Sequence, residues 1–140
     1  MKAIKWTERK FLGYDKGYSP FFIERLKSAV PRLEELVSNC DEAKASERIN
    51  ESWSVKEHIG HLADIEQLHE GRLDDYLNGL DTLRPADMTN RETEDANHNG
   101  NTIPRLLADF RVARARYLQR LAAMDETILT GKHCTHGLSR

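Results

Sequence analysis

Cysteine is scarce. The 140 residues contain two, Cys40 and Cys134, lying 94 positions apart with no CxxC pair. That spacing fits no disulfide framework, and both are expected as reduced thiols. Charge of one sign is missing as well: 21 basic residues stand against 23 acidic ones, for a formal net charge of -2. Such a balance does not draw a polyanion, so nucleic acid is not an expected partner. Long hydrophobic runs are also lacking, the longest falling far short of the roughly 20 residues that span a bilayer, so no membrane partner is expected. Residues 1–10 have no uninterrupted apolar core of the secretory-signal kind, and a cytoplasmic location follows as the expectation. A chain of 140 residues has room for one domain with one core and not for two. Hydrophobic residues at 39% and charged residues at 31%, with a mean hydropathy of -0.69, describe a globular chain rather than a disordered one.

No segment alternates with a period of two, and three segments carry a helical period. The first opens at Ser19-Pro20, a hydroxyl followed by a proline whose missing N–H costs nothing in a first turn. Leu26, Ala29, Val30, Leu33, Leu36 and Val37 then recur at three-and-four spacing, predicting a helix to about Asn39 with a kink at Pro31. The second opens on Ser54-Val55-Lys56-Glu57, a capping box in which serine and glutamate each satisfy the other's free backbone N–H. It runs through Ile59, Leu62, Ile65, Leu73 and Tyr76 to a left-handed cap at Asn78-Gly79. The third opens at Thr102 with Pro104 in its first turn and runs to about Met124. Arg105, Arg111, Arg114, Arg116 and Arg120 are read as its solvated outer face. Residues 82–101, rich in Asp, Asn, Thr and Arg, are read as a loop of a length that marks function or mobility. The fold class is all-α, an antiparallel up-and-down bundle, with Leu26, Leu33, Ile59, Leu62, Leu73, Leu106, Phe110 and Tyr117 expected inside.

Five of the six histidines fall into two groups: His58, His61 and His69 in the second helix, and His133 and His136 near the C-terminus. His58 and His69 point the same way but lie roughly 16 Å apart along a helix axis, too far to share one ion. His58 and His61 are one turn apart and close enough to do so. Spacing leaves two readings open, interior histidines bonded to neighbours or metal ligands. His61 shares a ridge with Ile65 and Leu68, which puts it at the edge of the inward face, where helical bundles build metal sites. The length of the 82–101 loop leads to the expectation that His98 lies near the opening His61 faces. Asp64 and Glu66 follow as candidate partners to a ligating imidazole, or as simple solvated acids. His133-Cys134-Thr135-His136 places three candidate ligands in four residues, without the supporting fold that a zinc site needs.

The run from Trp53 through Ser54-Val55-Lys56-Glu57-His58-Ile59-Gly60-His61-Leu62-Ala63 to Asp64 resembles the signature helix of the DinB-like, YfiT-like superfamily of metal-binding four-helix bundles. Lys5-Trp6, Arg9-Lys10-Phe11, Glu24-Arg25-Leu26, Gly71 to Leu77, Arg84 to Asp87, Thr89-Asn90-Arg91 and His98-Asn99 resemble one branch of the same family. The resemblance implies a divalent metal, zinc or nickel, on three histidines with an open position for water. It makes His61 one ligand, with two more supplied by an H-x-x-x-H pair on the last helix. This sequence has no such pair. His58, His133 and His136 are the weaker candidates to stand in for it, and residues 132–140 resemble the loop that precedes that helix, so a bundle without its C-terminal helix is expected.

A missing helix would uncover five to seven apolar side chains at roughly 1.5–3 kcal/mol each, comparable with the ~5–15 kcal/mol that holds a whole domain together. The expected response is association through that groove as a homodimer, with weak metal binding. The resemblance further implies a metal-dependent enzyme of the hydrolase or thiol-transferase type acting on a small molecule. The alternative is a non-catalytic binding or dimerisation module with an incomplete metal site.

Overall fold

The computed structural model describes residues 19–124. The segments holding Lys5 to Phe11, His133, Cys134 and His136 lie outside the described residues. Four α-helices follow in chain order: α1 (Ser19–Val37), α2 (Val55–Leu77), the short α3 (Arg91–Asp95) and α4 (Ile103–Ala122), with 3₁₀ turns at Lys44–Ser46 and His98–Gly100. There is no strand among the described residues, and no described helix is long and apolar enough to cross a membrane.

The helix ends follow the local chemistry. Ser54 accepts from the Glu57 backbone N–H at 3.1 Å while the Glu57 carboxylate accepts from the Ser54 N–H at 2.8 Å, so the capping box is formed in full. At the far end Asn78 caps α2 and Gly79 takes a φ of 72°, the left-handed conformation in which glycine carries no Cβ penalty. Thr102 caps α4 with Pro104 in the first turn, and α1 continues through Pro31. The predicted ends of α1 and α4 each run two residues beyond the observed ones, a matter of fraying last turns.

The all-α bundle expected from the periodicity is formed. Its helix directions are fixed by ion pairs. Glu66, Glu70 and Asp74 along α2 meet Arg114, Arg116 and Arg120 along α4 in the same order, so these two helices run parallel. Arg111 meets Glu34, and Arg114 reaches the Leu26 carbonyl, in reversed order, so α1 runs antiparallel to α4. The up-and-down alternation therefore holds from α1 to α2, and α4 then repeats the direction of α2. A 23-residue helix is about 34 Å long, and the long connection after it exists to carry the chain back over that distance.

Both α1 and α2 dock on α4. Val37, Ala45, Ile59, Ile103 and Leu106 form the buried cluster, with Leu33, Cys40 and Leu107 packed against it. Of the expected core, Ile59, Leu106 and Phe110 are buried, whereas Leu26, Leu33, Leu62, Leu73 and Tyr117 are only half-buried.

Two expectations are corrected. Residues 82–101 are not plain loop, because they hold α3 and the whole of the 3₁₀ turn that follows it. The arginines of α4 are not all solvated: Arg105, Arg111 and Arg116 are exposed, Arg120 is half-buried and Arg114 is buried. Arg114 is buried against Glu66 at 2.5 Å, Arg116 pairs with Glu70 at 2.7 Å, and Arg120 pairs with Asp74. These three, and Arg111 through Glu34, join helices, while Arg105 pairs with Asp109 on its own helix.

Candidate functional site

The first half of α2 and the α3 segment meet around His61. His61 is half-buried, and its Nδ1 lies 2.9 Å from Thr93 Oγ1. Thr93, buried in α3, donates to Asp64 Oδ2 at 2.8 Å, and the same oxygen accepts from His98 Nε2 at 2.9 Å. His61 and Asp64 are three apart on α2, so one helix face presents both to the incoming segment.

His98 fits this position because residue 60 is glycine. A Cβ there would lie 2.5 Å from His98 Cδ2 and closer still to Cγ and Nδ1, so the imidazole occupies the volume that any other side chain would need. The backbone bends into place at Asn90 and Asn97, which take left-handed φ values of 53° and 50° on either side of α3.

Trp53 covers the other side, its ring centroid 4.8 Å from that of His61 and 5.5 Å from that of His58. The indole donates to Glu94, and Glu94 also accepts from Arg48 at 2.8 Å. Arg48 in turn binds both oxygens of Glu57, with 2.9 Å from Nε to each and 2.5 Å from Nη2. The Arg48 guanidinium holds the Glu57 carboxyl down to about 2 against the opposing effect of burial. Arg48, and then the Trp53 indole, lower the Glu94 carboxyl in the same way. The capping box is thus tied through Arg48 and Glu94 to the indole beside His61.

Burial lowers the His61 pKa below its ordinary 6.5, Asp64 pulls the other way, and His58 and His98 add to the lowering. The ring is therefore biased toward the neutral form, the only form with a lone pair to offer. Among the described residues its one hydrogen bond is through Nδ1, and none of them engages Nε2.

Residues 25–137 match the family model of the DinB superfamily. The chain belongs to the DinB superfamily. No curated protein and no solved structure matches it.

A DinB-type metal on histidines can be tested against these residues. Among the described residues no three His, Cys, Asp or Glu side chains come together to hold an ion. What the described part of this DinB chain offers is one imidazole with a free Nε2 and a built set of partners behind it, so it fits a metal in one ligand and not in a complete set. His133 and His136 lie outside the described residues. His58 is exposed and edge-on to Trp53. Glu66, a candidate partner to a ligating imidazole, is fully buried against Arg114 instead, while Asp64 does stand behind His61 through Thr93.

Sequence reasoning missed Thr93, Arg48 and Glu94 as members of the site. One signal was available: Gly60, a glycine inside an otherwise regular helix and next to His61, marks a close approach by another group.

Proposed function

We propose that this DinB chain is a metal-dependent enzyme, of the hydrolase or thiol S-transferase type, in which His61 Nε2 is one ligand to zinc or nickel. The observation that carries the reading is the His61 ring itself, biased to neutrality by burial, engaged at Nδ1 and, among the described residues, unengaged at Nε2. A ligating histidine characteristically has its second ring nitrogen tied to a carboxylate or another polar group, and Asp64 stands behind His61 at one remove. When bound, such an ion supplies a polarised water or thiolate for attack. Asp64, Thr93 and His98 hold the ring in orientation, and Trp53 shields it from solvent on one side. The remaining ligands would come from outside the described residues, with His133 and His136 as candidates, or from His58.

A small-molecule substrate and a cytoplasmic location go with this reading, as does a homodimer, for which Leu36 on α1 and Val112 on α4 are 80% and 66% exposed. Calorimetric zinc titration of the chain tests the ligand role. His61→Ala should weaken binding by about tenfold or more, since even an outer-shell partner is worth ~10–100-fold, whereas His69→Ala should not change it. Equal affinity of wild type and His61→Ala would leave the non-catalytic module as the better reading.

A further inference from the structure

We propose that Thr93 is a positioning residue that fixes the tautomer of His61, acting as a one-hydrogen relay between Asp64 and the ring. A threonine hydroxyl has one hydrogen to give, and its oxygen can accept besides. Asp64 Oδ2 lies 2.8 Å from Thr93 Oγ1, and a carboxylate only accepts, so the single hydrogen of Thr93 is committed to Asp64. Thr93 Oγ1 then has only lone pairs left for His61 Nδ1, 2.9 Å away. His61 must donate, the hydrogen sits on Nδ1, and Nε2 carries the lone pair.

The direction of every bond follows from Asp64. The same Oδ2 takes the Nε2–H of His98 at 2.9 Å, so the carboxylate is held by two donors from the α3 segment. His98 is seated in the notch at Gly60, and Thr93 is 3% exposed, so water does not compete for its hydroxyl. The neighbours of Thr93 fix it from both sides: Glu92 accepts from Gln67 at 3.2 Å, and Glu94 is held by Arg48 and Trp53. A five-residue helix with little intrinsic stability is thereby placed so that one hydroxyl reads a carboxylate and passes its polarity to the imidazole.

The functional meaning of the relay rests on the reading of His61 as a metal ligand, but the tautomer does not, and the two are separable. Long-range ¹⁵N–¹H NMR of the metal-free full chain should show His61 with its hydrogen on Nδ1. Thr93→Val, which keeps the shape and removes the hydroxyl, should shift the ring toward a mixture of tautomers, and Thr93→Ser should restore the Nδ1–H form. An Nε2–H ring in the wild-type protein, a measurement that needs no variant, would overturn the proposal. So would an unchanged tautomer in a folded Thr93→Val protein. Zinc titration of the same variants supplies the second arm. An about tenfold weaker affinity in Thr93→Val, recovered in Thr93→Ser, supports relay and ligand role together. A shifted tautomer with unchanged zinc affinity keeps the relay and overturns the ligand role.

Discussion

Replacing Gly60 by alanine opposes two effects whose signs differ. Alanine is favoured over glycine in a helix interior by about 1 kcal/mol, so local propensity alone predicts a more stable protein. The new Cβ, however, would sit 2.5 Å from His98 Cδ2 and nearer to two other ring atoms, about an ångström inside ordinary contact. The ring is 8% exposed and cannot swing into solvent without leaving its place. Overpacking of this kind costs ~1–3 kcal/mol, and loss of the charge-assisted bond from His98 to Asp64 adds ~1.5–3 kcal/mol. The net is a loss of about 1.5–5 kcal/mol, or about 6–20 °C in Tm at ~4 °C per kcal/mol for a chain of this size. Thermal unfolding followed by far-UV circular dichroism reads it directly. The control is the same substitution in a His98→Ala background, where the obstacle is gone and Gly60→Ala should stabilise by about 1 kcal/mol. A Gly60→Ala protein that melts higher than wild type with His98 present would refute the reasoning.

The buried pair of Glu66 and Arg114 should show the asymmetry of buried charge. Arg114→Ala, which strands a fully buried carboxylate, should cost ~3–5 kcal/mol in urea unfolding, and the apolar double replacement Glu66→Leu/Arg114→Leu should recover most of it; a single substitution as mild as the double would contradict the pairing. Glu57 sets an acid-stability window. Its folded value of about 2 lies below the ordinary 4.5, so its contribution is fully present above pH 4.5 and is lost as the pH falls toward about 2. Glu57→Gln should flatten that part of the stability curve, and an unaltered slope between those values would refute it. Ser54→Ala should cost about 1 kcal/mol through loss of the cap, measured by the same unfolding curves.

The parts of the fold legible in the sequence are those whose physics is local. A capping box, a glycine at the C′ position and a three-and-four apolar period each act within a turn or two, and α1, α2 and α4 are placed by them. Arg114 departs from the outer-face reading because helix periodicity was applied to apolar residues only. Leu106, Phe110 and Arg114 lie at i, i+4 and i+8 on one ridge, as Ile59 and Glu66 do at i and i+7, so both charges were on inward positions. What hid them is that a buried charge is tolerable only when its partner lies on another helix, and one helix's sequence does not display that partner. The α3 segment was illegible for a different reason. Five residues carry no period, and this helix is held by Thr93 and Glu94 reaching residues 29 to 46 positions away. His61 was legible at the edge of the inward face and His98 near it through the length of its segment, whereas Thr93, which links His61 to Asp64, carries no such signal.

The central claim is that His61 presents Nε2 to a metal. Crystals of the chain grown with zinc and measured at the zinc absorption edge test it most directly. The account predicts an anomalous peak about 2.0–2.1 Å from His61 Nε2, with Nδ1 still bonded to Thr93. A zinc peak held by other side chains while His61 Nε2 stays unligated, or ligation through Nδ1 with the Thr93 contact broken, would contradict it.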